Sequence, residues 1–235
     1  MNILFVTGTG TGVGKTVATA ALAACAAGTV AVVKLAQTGV APGEPGDLAE
    51  VTRLSGCIDV HEFARYPDPL SPYRAARHVG APRYDVETAI LRIAELAKNH
   101  DHVIVEGAGG LLVPYDPAGT TIADMPLELN AQMVVVTSAS LGTINHTALT
   151  VRYIEENCGV GIAGLVIGSW PREPDLAERY NVWDLGLMGG REKLAGVLPA
   201  GMATMADFAG RARRALSPAF GGTFDFPSFW QAVQP

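Results

Sequence analysis

This chain has little charge, few aromatic residues and hardly any cysteine. Charged residues make up 17% of its 235 residues and aromatic ones 7%, against 49% hydrophobic. So apolar a composition excludes a solvated, disordered chain and provides for a sizeable core. Positive charge is the scarcer sign: 17 Lys and Arg face 23 Asp and Glu, a net charge of −6. That balance excludes a nucleic-acid surface as the main function but leaves room for a local basic pocket. The three cysteines, Cys25, Cys57 and Cys158, lie far apart and form no CxxC pair. They supply neither a disulfide framework nor a zinc site, and point to reduced thiols in a cytoplasm. Cys25 and Cys158 fall in or at the end of expected helices and read as packing residues. No apolar run reaches the roughly 18–20 residues of a membrane helix. The N-terminus lacks the basic region of a signal peptide. The expectation is a cytoplasmic protein with neither membrane nor nucleic acid among its partners. Its length fits one α/β domain over residues 1–235.

What is present is an alternation of short apolar runs with helical patterns. Ile3–Val6, Val30–Lys34, His102–Glu106, Met133–Thr137, Ile162–Ile167 and Ala195–Leu198 read as buried strands. Val17–Ala27, closed by Gly28, reads as a helix, as do Val86–Lys98 and Ile144–Asn157. Asp47–Leu54 reads as a short helix with Asp47 at its cap, and Asp207–Leu216 as the last helix. Residues 67–72 are proline-rich and irregular. Strands apolar throughout, alternating with helices, predict a mostly parallel sheet covered on both faces. In such sheets ligands bind beyond the carboxyl ends of the strands. That rule gathers Gly8–Thr16, Lys34–Gly39, Glu106–Gly110, Thr137–Asn145 and Gly168–Trp170 along one edge.

The first of these stretches carries the strongest signal. Gly8-Thr9-Gly10-Thr11-Gly12-Val13-Gly14-Lys15-Thr16 joins the first strand to the first helix. Such a loop turns successive backbone N–H groups into one hollow at a helix N-terminus, a cradle for phosphate. Lys15 adds a full charge for the β- and γ-phosphates, and the Thr16 hydroxyl is a ligand for Mg²⁺. The spacing is one residue longer than usual: five residues before Gly14 stands Thr9, and Gly8 is six before.

Two further charges stand out against their apolar strands. Lys34 closes the second strand, and either converges on the phosphates or snorkels out at the strand end. Glu106 closes the third, where a phosphate-loop protein holds the outer partner of Mg²⁺. Gly107, Ala108, Gly109 and Gly110 follow it and admit a close ligand. Asp47 is a second acidic candidate for the metal, by itself a weak one. His146 reads as a capping or packing residue more readily than as a base.

On these residues the chain resembles the dethiobiotin synthetase family of phosphate-loop proteins, over nearly its whole length. The family's longer loop, Gly-Thr-x-Thr-x-Val-Gly-Lys-Thr, is matched by Gly8–Thr16. Its Val-Glu-Gly-Ala-Gly-Gly is matched in full by Val105–Gly110, and its Leu-Gly-x-Ile-Asn-His-x-x-Leu-Thr by Leu141–Thr150. Its Lys-Pro-Val-x-[Ser/Thr]-Gly is matched imperfectly by Lys34–Gly39.

The resemblance implies a single-domain phosphate-loop NTPase-like fold and an Mg²⁺-dependent ligase in biotin biosynthesis. Its substrates would be 7,8-diaminononanoate, CO₂ or bicarbonate, and ATP or another nucleoside triphosphate. The γ-phosphate passes to a carbamate of the diamine, and the neighbouring amine closes the cyclic urea of dethiobiotin. Lys15, Lys34 and Thr38 are the implied catalytic residues, and Thr16, Asp47 and Glu106 the Mg²⁺ ligands. Nucleotide falls to Gly12, Val13, Gly14, Lys15, Thr16 and Val17, to Glu106, Gly107, Ala108 and Gly109, and to Gly168, Ser169, Pro199, Ala200 and Gly201. Thr11, Thr38 and Gly109 would line the diamine. Its carboxylate would sit at Gly142, Thr143, Ile144 and Asn145 of a partner subunit, with Tyr180, so that a homodimer is implied.

Three positions depart from the family pattern. Leu35 replaces the proline after Lys34, removing a φ restraint. Gly12 stands where the family often has glutamate. The asparagine that reads adenine is replaced within Gly168-Ser169-Trp170, which predicts a relaxed or non-adenine base preference. Two rival classes are a partitioning-type ATPase switch and a cobyrinate-type ligase. The first carries an extra lysine early in the loop, which Gly8–Val13 lacks. The second adds a glutaminase domain, for which 235 residues leave little room.

Overall fold

The protein is described by a computed structural model covering residues 2–188 and 194–235. In chain order the elements are β1 (Asn2–Gly8), α1 (Lys15–Cys25), β2 (Val30–Lys34), β3 (Gln37–Thr38), α2 (Asp47–Ser55), β4 (Val60–Glu62) and β5 (Arg65–Tyr66). Then come α3 (Pro72–His78), α4 (Val86–Asn99), β6 (His102–Glu106), β7 (Gln132–Thr137), α5 (Thr143–Asn157) and β8 (Ile162–Trp170). The chain ends with α6 (Leu176–Leu187), β9 (Leu194–Pro199), α7 (Phe208–Ala215) and α8 (Phe226–Val233).

Seven strands form one parallel sheet in the order β4-β2-β6-β1-β7-β8-β9. β1 lies at its centre, and adjacent residues of β1 point into different cores. Ile3 and Phe5 pack with Ile93 of α4, Ile154 of α5 and Leu185 of α6. Leu4 and Val6 pack with Leu22 of α1, Val51 of α2 and Ala212 of α7. Helices thus cover both faces, and this is why the central strands read as unbroken apolar runs. β3 and β5 pair in parallel as a separate two-stranded ribbon beside the sheet.

The fold class agrees with the sequence pattern, and several boundaries differ. α1 begins at Lys15, not Val17, because Gly14 takes φ 95° as the helix cap. Asp47 is the first helical residue of α2 and not its cap; Gly46 is the cap, and no side chain caps the helix. Pro72, placed in an irregular stretch, starts α3, since proline's fixed φ suits a first turn. β4 is short and half-buried, so it has no apolar run to announce it. His146 is exposed, and neither caps nor packs. The last helix is α8, not the one at residues 207–216. Its aromatic residues make it a packing terminus: Trp230 lies 5.0 Å from Trp183, and Phe229 5.5 Å from Trp170. Among the described residues no helix is long and apolar enough to cross a membrane.

Candidate active site

The carboxyl ends of β1, β2 and β6 open into a cleft of ≈ 820 Å³. Thr11, Gly12, Gly14, Lys15, Thr16 and Val17 form one wall. The loop is held taut from within, because Lys15 Nζ donates to Gly10 O at 2.9 Å. Behind it Gly14 and Gly168 meet backbone to backbone. A Cβ on Gly168 would lie 2.0 Å from Val13 O, and one on Gly14 2.6 Å from Gly168 O. Only glycine fits either place.

Lys34 and Glu106 are cross-strand partners in the β2–β6 register. Two apolar strands of equal length therefore end side by side on opposite charges. Lys34 Nζ lies 2.7 Å from Glu106 Oε1 and 2.6 Å from Asp47 Oδ2, and donates to Gly107 O at 3.2 Å. Both side chains of the first pair are almost wholly buried. Burial alone would drive the Lys34 ammonium toward neutrality, but the Glu106 and Asp47 carboxylates outweigh it and hold its pKa above the ordinary lysine value. Lys34 thus turns back to its acidic partners and does not snorkel into solvent. Lys15 behaves oppositely. Burial lowers its pKa, Glu106 counteracts only in part, and the Lys34 charge pushes the same way as burial.

Thr16 Oγ1 donates to Glu106 Oε1 at 3.0 Å. Glu106 and Asp47 use Oε1 and Oδ2 in these bonds, and among the described residues Oε2 and Oδ1 have no hydrogen-bond partner. A hydroxyl and two carboxylates facing a phosphate cradle are a hard oxygen set suited to Mg²⁺, whose other ligands are commonly phosphate and water. The donor chemistry therefore fits that ion.

Thr38 and Gln37 also line the cleft, and Thr11 and Gly109 line it side by side: a Cβ on Gly109 would lie 3.7 Å from Thr11 Oγ1. Gln37 had drawn no role from the sequence. It is buried, and its Oε1 accepts the Asp47 N–H at 2.8 Å, which fixes where that carboxylate starts. Tyr115 was likewise unmarked. Its hydroxyl accepts the Ala108 N–H at 2.8 Å behind the cleft, and burial pushes its pKa up to about 12, so it stays neutral. Nothing in its local sequence pointed there. Pro69, Leu70, Ser71 and Pro72 close the remaining side.

An AAA-domain family model matches residues 2–205. The ATP-dependent dethiobiotin synthetase BioD of Frankia casuarinae is 54% identical over 97% of this chain and 98% of its own. The protein of the same name from Saccharopolyspora erythraea is 53% identical, over 94% and 98%. This chain belongs to the dethiobiotin synthetase family. Among solved structures, apo McdA from Cyanthece superposes with a TM-score of 0.53 at 12% identity, covering 97% of this chain and 93% of that one. That likeness speaks for the fold alone.

Not every residue matched to the family motifs lies in the cleft. Gly168 touches the loop from behind, on the side away from Lys34. Ser169 and Pro199 are exposed at the ends of β8 and β9, where the Ala200 N–H donates to Trp170 O at 2.7 Å. Gly201 turns the chain with φ 72°. These residues present backbone and a serine hydroxyl, with no amide side chain. Gly142 caps α5, and the N–H groups of Ile144 and Asn145 beyond it have no partner among the described residues. Thr143 is buried while Asn145 is exposed. Tyr180, 52% exposed on α6, is also outside the cleft. The separation is topological: the cleft sits over β2, β6 and β1, whereas these residues follow β7, β8 and β9.

Proposed function

We propose that this protein is a cytoplasmic, Mg²⁺-dependent ligase that makes dethiobiotin from 7,8-diaminononanoate, CO₂ and a nucleoside triphosphate. The observation that carries the reading is the convergence of Lys15, Lys34, Asp47, Glu106 and Thr16 in one cleft, in a chain of this family. A carbamate oxygen is a weak, anionic nucleophile. Its approach to a triphosphate requires cations fixed in advance, which cost no reorganisation when charge shifts in the transition state. Lys15 meets the β- and γ-phosphates. Lys34, held charged by two carboxylates, faces the transferring phosphoryl group. Thr38 orients the carbamate, and Thr11 and Gly109 border the diamine. Carbamate oxygen bonds to the γ-phosphorus as the bond to the β,γ-bridging oxygen breaks. The second amine then attacks the carbamoyl carbon, phosphate leaves, and the urea ring closes. Thr16, Asp47 and Glu106 would hold Mg²⁺, which supplies neutralisation of phosphate charge.

The diamine's carboxylate is assigned to the free N–H groups at the start of α5 of a second copy, with Asn145 and Tyr180. Free amides at a helix N-terminus suit an anion. Exposed apolar side chains near these residues, Leu141, Leu149 and Leu176, favour burial of this face against that copy. The base is read by Gly168, Ser169 and residues 199–201, with relaxed selectivity.

The test is incubation with 7,8-diaminononanoate, bicarbonate, Mg²⁺ and ATP, followed by mass detection. The expected result is one urea product and one phosphate per diamine consumed. Phosphate release without diamine and without urea would overturn the assignment. Sedimentation velocity of the purified chain checks the dimer.

A further inference from the structure

The phosphate loop is one residue longer than usual, and that residue has a distinct engagement. The Thr9 N–H donates to Val136 O at 3.0 Å, carrying the β1–β7 ladder one step past the Gly8–Val136 pair. Thr9 Oγ1 lies 3.3 Å from Thr137 Oγ1. Thr137 ends β7, is wholly buried, and lies 2.8 Å from both Thr143 Oγ1 and Thr147 Oγ1 on α5. Thr143 Oγ1 donates to Ser138 O at 2.7 Å.

Each hydroxyl has one proton and two lone pairs, so these bonds have a direction. Thr143 gives its proton to Ser138 O and must accept from Thr137. Thr137 has then given its proton, and must accept from Thr147 and Thr9. It makes three bonds, the full capacity of a hydroxyl, from a buried position at the end of β7. One end of the relay is the phosphate loop, the other the first residue of α5. From the opposite side Asn181 Nδ2 donates to Ala139 O and Ser140 O at 2.8 and 3.2 Å, fixing the segment between.

We propose that Thr137 is a positioning residue that sets the phosphate loop and the N-terminus of α5 at a fixed separation. It acts on catalysis through both, without touching either substrate. The α5 half of this inference rests on the assignment of the diamine carboxylate to Gly142–Asn145. In the dimer that carboxylate would belong to the partner's cleft, so the relay would join one nucleotide site to the neighbouring diamine site.

The test compares Thr137→Val, which keeps the shape and removes the hydroxyl, with Thr137→Ser, which keeps the hydroxyl. Isothermal titration gives two quantities: the Kd of a non-hydrolysable ATP analogue, and the ratio of Kd for 2,3-diaminononane, which has methyl in place of the carboxylate, to that for 7,8-diaminononanoate. Thr137→Val is expected to weaken nucleotide binding about tenfold and to shrink the diamine ratio by a similar factor. Thr137→Ser is expected to restore both. If Thr137→Val lowers Tm but leaves both quantities unchanged, the relay is only core packing and the proposal fails. A wild-type ratio near one would remove the carboxylate assignment instead, while the nucleotide Kd still decides the loop half. Should Thr137→Val not fold, Thr9→Val at the half-buried end serves. A nucleotide Kd unchanged in that variant would overturn the proposal.

Discussion

The two ends of the proposed nucleotide site are built on different principles. The phosphate end is crowded with ionic side chains held by short bonds: Lys34 alone contacts Glu106, Asp47 and the Gly107 carbonyl. The end we assign to the base, Gly168–Trp170 with residues 199–201, offers backbone, the half-buried Trp170 and the exposed Ser169, but no charged or amide side chain. Charge is expensive to bury unless paired, so the phosphate end admits few arrangements. Backbone contacts to a base carry little of the paired donor–acceptor pattern that distinguishes adenine. Chemistry should therefore be sharply sensitive to mutation at one end, and base identity weakly discriminated at the other.

The largest expected break in that contrast is Lys34→Ala. It should lower kcat by about 10²–10³-fold, the scale of one fixed electrostatic contact to the transition state. It should also cost about 3 kcal/mol of stability, since Glu106 is left buried without its counter-charge. Stopped-flow phosphate release and thermal melts measure the two; a near-normal kcat would sink the catalytic role. Next comes Gly168→Ala. Its new Cβ would lie 2.0 Å from Val13 O, so the phosphate loop must shift. Nucleotide Kd should rise more than tenfold, although the residue lies at the end we assign to the base. An unchanged Kd would mean that the two ends are mechanically independent.

Asn145→Ala should raise the KM for the diamine about tenfold while leaving kcat largely intact, the cost of a hydrogen bond to a charged group. An unchanged KM would count against the carboxylate site. The two lysines also predict a pH effect with a definite sign. Lys15 in the free protein has a lowered pKa and loses its proton below the ordinary value of 10.5. Phosphate binds the charged form, so as pH rises through that lowered value, binding must take up a proton and affinity must fall. Lys34, with a raised pKa, keeps its charge and its stabilising contribution throughout that range and loses them only above the ordinary value. Titrations in buffers of different ionisation enthalpy detect the proton uptake, and Lys15→Met should abolish it. The smallest effect is the choice of base. ATP, CTP and GTP at sub-saturating levels should turn over within about tenfold of one another. A strong preference for ATP would end the idea of a relaxed base site.

Much of this architecture was legible before any coordinates. The runs ending in Lys34 and Glu106 were visible as charges out of place on apolar strands, and the phosphate loop as glycines between a strand and a helix. Gln37 and Tyr115 were not legible, because each acts through side-chain hydrogen bonds to backbone from a segment with no distinctive spacing. Asp47 was half legible. An aspartate opening a helix looks like a cap, and only folding reveals that its carboxylate is used by Lys34. The role of the rings in α8 was not legible either, since a cluster of rings says nothing of what it covers until α6 is placed against α8.

The sequence by itself determined the layered α/β fold, the phosphate cradle and the family, because these rest on local pattern and on apolar runs that must be buried from both sides. Tertiary structure alone decided the register that sets Lys34 beside Glu106, the meeting of Gly14 with Gly168, and the hydroxyl chain from Thr9 to α5. Those contacts join residues many positions apart. No local preference encodes them, and they form only when packing of the whole sheet fixes how far one strand end reaches relative to the next.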